Sequence, residues 1–205
     1  MRTASVWNGI LIQLGVKPIN AAKWSTVFAD VIRPDTFSLG DSELDDFMAQ
    51  VLHESAHLDK LEEDLYYKTP GRLMATWPSR FKTLADEQPY LRNPEALANK
   101  VYGGRMGNVN PGDGWRNRGS GLIQITGADN LRAVQAATGI PVYDHPELLR
   151  QPTAEALRVC IAWWEGYVPD AIMGNGALVR RKVNGGTIGL KDTLALTDRA
   201  GEALG

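Results

Sequence analysis

Apolar residues recur every three or four positions along most of the chain, which is the spacing of one face of an α-helix. Capping residues stand before several of these segments, as Asn93 does before Pro94. Strand signals are few, and residues 121–126, GLIQIT, are the best short candidate. The pattern predicts a mainly α-helical, compact chain. Helices are expected at residues 5–15, from Asn20 to Val31, from Asp41 or Ser42 to Leu58, from Asn93 toward Tyr102, from Asp129 to Thr138, from Thr153 to Tyr167 and at residues 190–204.

Residues 103–127 interrupt this pattern, because they hold eight of the 21 glycines. A loop of this length in a compact domain is usually functional or disordered. Trp115 and the LIQI run at 122–125 offer apolar groups that can pack. We therefore expect a folded, glycine-rich loop that lines a cleft.

Composition narrows the class of protein. Of the 205 residues, 43% are hydrophobic and 22% are charged, which is ordinary for a soluble globular protein of one domain, or of one domain with two lobes. The net charge of −2 argues against a nucleic-acid-binding protein, which normally has a basic surface.

The single cysteine, Cys160, lies among apolar residues at helical spacing, so we expect a buried thiol rather than a nucleophile.

The start of the chain does not look like a targeting segment. Asn8, Gln13 and Lys17 interrupt it, so it lacks the continuous apolar stretch of a secretory signal peptide. No apolar run is long enough to cross a bilayer. We expect a soluble chain that is made in the cytoplasm and does not insert stably into a membrane.

Residues 53–57, HESAH, match the zinc-peptidase motif, in which two histidines hold the metal and the glutamate activates water. Such a site needs a third ligand, but Lys60 and Glu63 stand where the extended motif has glycine and histidine. The remaining histidine, His145, lies in a turn-like segment, and a distant carboxylate ligand stays open. We favour hydrogen-bonding roles for His53 and His57.

Glu54 alone suggests a different chemistry, the cleavage of sugar chains. On a helical wheel it borders the apolar stripe, and apolar neighbours favour the protonated carboxyl that a general acid needs. A glycosidase also needs a second carboxylate, and Glu62, Glu63 and Asp64 are available. On one unbroken helix Glu54 and Glu63 would lie on opposite faces, so this interpretation requires a helix end near Leu61.

The segments AQVLHES, LEEDLYY, RMGNVNPGDGWRNRGSGLIQITG, HPELL and VNGG occur in this order over about residues 40–200. Together they resemble the tailed-phage endolysins of the chitinase-like glycoside hydrolase family 19. The resemblance implies a lysozyme-like, two-lobed helical fold with the glycine-rich loop lining a central cleft. Because no linker divides the chain, we expect one catalytic domain of two lobes over residues 1–205, with no separate cell-wall-binding module.

The resemblance also implies site residues. Glu54 would be the general acid and Glu63 the general base, and Thr126 would help to hold the attacking water. The positions that would contact the sugar chain are Gln124, Asn184, Tyr102, Arg105 and Tyr67, with Tyr66 or Trp115 as further stacking candidates.

Two positions depart from the family pattern. Family members usually have a small residue at the position of His57, which makes the zinc-like spelling accidental. Many also have an arginine after the aspartate of the last helix, near the acid carboxyl, where this chain has Asp192-Thr193. The electrostatic partner of Glu54 is therefore expected elsewhere, at Arg180, Arg181 or Lys191.

The function implied is an endolysin, a monomeric enzyme that hydrolyses β-1,4 bonds of peptidoglycan glycan with inversion, without metal or organic cofactor. It would be made in the host cytoplasm and act on the cell wall after release by a membrane-permeabilising partner. The alternatives are a lytic transglycosylase, a chitinase, a zinc peptidase and a non-catalytic glycan-binding protein.

Overall fold

The computed structural model describes residues 1–205, and all its regular elements are helical. Two isolated antiparallel bridges, Glu62 with Ser120 and Ser120 with Ile125, are the only β-type pairings. The α-helices are α1 (Ala4–Gln13), α2 (Pro18–Val31), α3 (Leu44–Glu54), α4 (Arg72–Thr76), α5 (Leu84–Glu87), α6 (Pro94–Tyr102), α7 (Asp113–Arg116), α8 (Ala128–Thr138), α9 (Ala154–Tyr167), α10 (Gly176–Asn184) and α11 (Leu190–Leu204). Short 3₁₀-helices cover Gly40–Glu43, Gln88–Tyr90, Pro146–Arg150 and Asp170–Ile172.

Two predicted N-caps are confirmed and two are wrong, because Asn20 lies inside α2, which begins at Pro18, and Asp41 and Ser42 lie in the 3₁₀-helix before α3. Asn93 caps α6 by accepting a hydrogen bond from the amide of Ala96, and Thr153 caps α9 through the amide of Ala156. Gly139 ends α8 with a φ of +70°, a conformation that glycine adopts without strain. The mainly helical fold class is confirmed.

The strand predicted at residues 121–126 is wrong, because this segment is a turn. Ser120 and Ile125 exchange two backbone hydrogen bonds of 3.0 and 2.8 Å, which close the chain on itself. Gln124 lies inside the turn with a φ of +53°, which an extended strand does not allow.

The chain forms two compact units. Unit 1 contains Met1–Leu61, Gly121–Ile123 and Leu148–Gly205, and unit 2 contains Glu62–Ser120 and Gln124–Glu147. The large side chains of the unit 1 core are Trp7, Trp24, Phe28, Phe47 and Trp164. The smaller core of unit 2 is built on Leu65, Leu73, Phe81, Leu97, Ala98 and Val101.

In unit 1, helix α3 packs against α11 and is buried along most of its length. It ends at Glu54, two turns before the predicted end near Leu61. The Ser55 hydroxyl donates to the carbonyl of Val51 at 2.7 Å and accepts from the amide of Leu58 at 2.9 Å. Residues 56–58 then all have positive φ, between 49° and 61°. The chain therefore leaves the helical path directly after Glu54.

The buried thiol is confirmed, since Cys160 lies in α9 with 1% of its surface exposed. Burial raises the pKa of this thiol far above its usual value, so it stays uncharged. None of the helices combines the length and the apolar character that crossing a bilayer requires.

Candidate active site

Glu54 is the last residue of α3, and its carboxylate pairs with an arginine from α10. Arg180 Nη1 lies 2.5 Å from Glu54 Oε1 and also donates to Gln50 Oε1 at 3.1 Å. Arg180 Nε donates to the carbonyl of Ile188 at 2.7 Å. The arginine side chain is 2% exposed and that of Glu54 is 25% exposed. A buried, fully braced guanidinium thus holds a carboxylate that remains open to solvent.

The contact with Arg180 shows that the expected apolar environment of Glu54 is wrong, and it identifies the basic partner of Glu54. The environment of Glu54 is not mainly apolar, because the Arg180 guanidinium lies at hydrogen-bond distance from its carboxyl group. Of the three candidate partners, Arg180 makes the contact, while Arg181 and Lys191 are exposed. Thr193 is buried and its hydroxyl bonds to the carbonyls of Gly189 and Leu190 within its own helix.

A second pair lies next to Glu54 in the same unit. His53 Nδ1 lies 2.5 Å from Asp192 Oδ2 of α11. Gly189, with a φ of +79°, fits against both pairs, because a Cβ there would overlap His53 Nε2 and approach Arg180 Nη2 to 3.3 Å. The end of α3, α10 and the start of α11 therefore hold Glu54 and its neighbours in one packed arrangement.

The zinc-peptidase spelling does not produce the geometry of that motif. His53 lies in α3, but His57 lies beyond the helix end with a φ of +58°. His57 Nδ1 instead lies 3.1 Å from the carbonyl oxygen of Leu14. The two histidines are not one turn apart on a helix, as paired zinc ligands of this motif must be. No group of three or more His, Cys, Asp or Glu side chains is placed to hold a metal ion.

In unit 2, Glu63 is fixed by both its backbone and its side chain. Its amide donates to the carbonyl of Gly119 at 2.9 Å. The Tyr102 hydroxyl donates to Glu63 Oε1 at 2.6 Å, and the Gly119 amide lies 3.4 Å from Oε2. These two contacts hold the Glu63 carboxyl group in one orientation.

Gly119 is the point at which the predicted catalytic side chains of unit 2 meet. A Cβ at this residue would lie 2.9 Å from Gln124 Oε1, 3.2 Å from Glu63 Cβ and 3.3 Å from Thr126 Oγ1. The Thr126 hydroxyl also donates to the carbonyl of Gln124 at 3.1 Å. Glu63, Gln124 and Thr126 therefore surround one backbone position, where even a Cβ would be crowded.

Glu62 and Asp64, the two acids beside Glu63, contact different residues. Glu62 Oε2 forms an ion pair with Arg118 Nη2 at 2.6 Å, and the Arg118 guanidinium lies 3.6 Å from the centre of the Trp115 ring. Asp64 accepts a hydrogen bond from the amide of Tyr66 at 2.9 Å. Only Glu63, of these three acids, is grouped with Thr126 and Gln124.

The remaining predicted sugar contacts are spread over both units. Tyr67 packs edge-on against Trp77 at 5.6 Å on the unit 2 core, and Arg105 is exposed, with Nη1 3.5 Å from the carbonyl of Val101. Asn184 is exposed at the end of α10, the helix that carries Arg180. A groove of about 240 Å³ in unit 2 is lined by Glu62, Glu63, Asp64, Leu65, Tyr66, Pro94, Trp115 and Arg118.

Sequence reasoning missed several parts of the site. Gln50 braces Arg180 from one turn earlier on α3, and Tyr102 bonds to Glu63 rather than only lining a surface. The sequence could have indicated Gly119, since a glycine between Arg118 and Ser120 in a motif segment suggests that backbone and side chains approach closely there. Gln50 carried none beyond its position four residues before Glu54.

Comparisons with known proteins show the family to which the chain belongs. No family model matches the chain. A glycosyl hydrolase family 19 domain-containing protein of Haemophilus influenzae is 34% identical over 152 residues, which is 73% of this chain and 74% of the relative.

Solved structures show the same fold. Chitinase C from Streptomyces griseus matches with a TM-score of 0.62 at 17% identity, over 98% of this chain and 76% of that chain. A mutant of chitinase C matches over the same shares with a TM-score of 0.61 at 16% identity. The lysozyme-like helical fold is thus shared with these chitinases, and the relative at 34% identity decides the family. The chain belongs to glycosyl hydrolase family 19 and is a glycosidase.

Proposed function

We propose that this glycosidase hydrolyses β-1,4 bonds between N-acetylmuramic acid and N-acetylglucosamine in peptidoglycan, with inversion, as an endolysin of a tailed phage. One observation carries the proposal: two carboxylates have different and complementary surroundings. Glu54 is braced by a cation, whereas Glu63 is held by neutral donors beside a threonine hydroxyl. An inverting glycosidase needs two carboxyl groups, one acting as acid and one as base, and the family resemblance gives Glu54 the acid role and Glu63 the base role.

Glu54 acts as the general acid. Its protonated carboxyl delivers a proton to the glycosidic oxygen as the bond from that oxygen to the anomeric carbon breaks. The carboxylate left behind is then paired with Arg180, whose guanidinium is already in place. A preorganised positive charge stabilises the negative charge that develops on Glu54 during proton transfer.

Glu63 acts as the general base. It removes a proton from water while the water oxygen bonds to the anomeric carbon on the face opposite the leaving group. The Thr126 hydroxyl, gathered with Glu63 around Gly119, helps to hold that water. Inversion requires space for that water between Glu63 and the anomeric carbon.

The choice of peptidoglycan rests on the endolysin-like segments, above all the glycine-rich block at residues 103–127. Chitin is the second candidate substrate, because the solved structures that share the fold are named as chitinases. Short chains of N-acetylglucosamine would then be cleaved as well.

The proposal includes a place of action. The chain is a monomer made in the host cytoplasm, and it reaches the cell wall when a separate partner permeabilises the membrane. Its binding partner is the glycan chain, and it uses neither nucleic acid nor stable membrane insertion. The net charge of −2 supports the exclusion of nucleic acid.

Mass spectrometry of digested, purified peptidoglycan tests the proposal, with chitin oligomers digested in parallel and the Glu54→Gln variant as the inactive control. We expect glycan fragments with intact stem peptides and ordinary reducing ends, each cleavage having added one water. Fragments lighter by one water would identify a lytic transglycosylase, and release of peptides alone would identify a peptidase. Cleavage of chitin without any cleavage of peptidoglycan would overturn the substrate assignment.

A further inference from the structure

We propose that Tyr102 is a positioning residue for the general base. Its hydroxyl fixes Oε1 of Glu63, which leaves Oε2 as the oxygen that takes the proton from water. The inference rests on the proposed role of Glu63 and goes beyond the expectation that Tyr102 only contacts the sugar chain.

The contact is short and comes from a well-anchored ring. The phenol oxygen lies 2.6 Å from Glu63 Oε1, at the short end of the range for hydroxyl-to-oxygen hydrogen bonds. Tyr102 is the last residue of α6, and its ring packs on the unit 2 core, which includes Leu97 and Val101 of the same helix. The ring can hardly move without disturbing this core, so it is a firm reference point for the carboxylate.

The direction of the hydrogen bond is fixed by charge. Burial, followed by the hydrogen bond to Glu63 and its negative charge, raises the pKa of Tyr102 well above its usual range. The phenol therefore keeps its proton at every pH at which a glycosidase works. A protonated phenol beside a carboxylate donates to it, so Oε1 is occupied throughout the catalytic cycle.

The other carboxylate oxygen is less engaged. Its partner is the Gly119 amide at 3.4 Å, longer than the ~2.9–3.0 Å that is usual for such bonds. Gly119 is also the residue around which Thr126 Oγ1 lies. Oε2 is thus the oxygen with spare capacity to accept a proton, on the side where the threonine can hold water.

The Tyr102→Phe variant tests this inference because it keeps the ring and removes the donor. We expect kcat on a soluble glycan substrate to fall about 10- to 100-fold with KM nearly unchanged, as when one hydrogen bond to a charged catalytic group is lost. Tyr90→Phe, in a ring that packs on Phe81 of the same core, is the matched control and should change neither value.

Three results would overturn the inference. A rise in KM with kcat intact would make Tyr102 a sugar contact, and unchanged kinetics would leave it without a role. A fall in kcat together with a clearly lower melting temperature of the same variant would indicate a purely structural effect.

The Glu63→Gln variant separates this inference from the proposed function. If Glu63→Gln stays active, the assignment of the base fails and the role of Tyr102 falls with it. If Glu63→Gln is inactive while Tyr102→Phe behaves as wild type, only the positioning role is wrong.

Discussion

Among single residues, Glu54 matters most to the proposed mechanism, as its proton donor. Replacing it with glutamine keeps the shape and lets the amide oxygen still accept from Arg180. We expect the Glu54→Gln variant to melt at the wild-type temperature and to lose ~10²–10⁴-fold or more of its activity, because an amide cannot deliver the proton. Turbidity loss of a cell-wall suspension measures the activity, and near-normal lysis would remove Glu54 from the mechanism.

The adjacent pair Glu62 and Glu63 allows a second, internally controlled comparison. Glu63→Gln should cripple turnover, because the base that activates water is lost. Glu62→Gln should cost little, because the Glu62 side chain is half exposed and pairs with Arg118 outside the group around Gly119. Steady-state rates of the two variants decide the matter, and the opposite ranking would show that the base has been placed one residue too late.

The sequence could identify these acids as a set but could not separate them by spacing. What distinguishes Glu63 is its contacts with Tyr102 and Gly119, which lie 39 and 56 positions away along the chain. Likewise, Thr193 stands where many family members have an arginine, so the sequence indicates that Glu54 needs another basic partner. Only the folded structure shows that this partner is Arg180 rather than Arg181 or Lys191. Tertiary contacts determine which of several neighbouring residues of the same type has the functional role, and a local sequence pattern does not contain these contacts.

At the scale of the element, capped helices such as α6 and α9 were predictable, because an N-cap side chain and an apolar face are both local features. The end of α3 was not. Residues 55–58 contain no glycine or proline, yet three of them adopt positive φ. Helices of four or five residues, such as α4, α5 and α7, are too short to show a period of 3.6.

Helix α3 also carries a buried acid that should make stability depend on pH. Asp46 is fully buried and accepts from the Gly174 amide at 2.8 Å and from the Thr197 hydroxyl at 3.4 Å. Burial is the largest cause that raises the pKa of Asp46 above its ordinary 3.8, and the negative charges of Asp45 and Glu43 add to it. The ionised carboxylate therefore destabilises the folded state at neutral pH, and this penalty is relieved as the pH falls through the raised pKa.

We expect the Asp46→Asn variant to be more stable than wild type at pH 7. Its amide can still accept from Gly174 and can donate to Thr197, so the packing is kept while the charge is removed. The melting temperature should rise by on the order of 2–4 °C, the shift that about 1 kcal/mol produces in a chain of this size. The gain should shrink on acidification and vanish below pH 3.8, where Asp46 is protonated in the unfolded chain as well.

Asp198→Asn, at an exposed position of α11, is the control for Asp46→Asn and should leave the melting temperature unchanged. The prediction would be contradicted if Asp46→Asn had a lower melting temperature than wild type at pH 7, or the same increase in melting temperature at pH 7 and pH 3. Either result would show that the ionised Asp46 carboxylate does not destabilise the folded state.

At the scale of the whole molecule, the ordered motif segments identified the family, because together they specify a helix-borne acid, a second acid and a glycine-rich block. The relative at 34% identity confirms that family membership. Composition and periodicity alone predict only a mainly helical soluble chain. They do not predict the family, since many unrelated folds share that description.

The stereochemistry of the product tests the two-carboxylate mechanism most directly. Proton NMR during the first minutes of hydrolysis of a soluble β-1,4 aminosugar oligomer shows which anomer forms before mutarotation mixes the two. Direct attack of a water activated by Glu63 predicts the α-anomer at the new reducing end. Initial formation of the β-anomer, or of an anhydro sugar end, would contradict the inverting mechanism and the base role of Glu63.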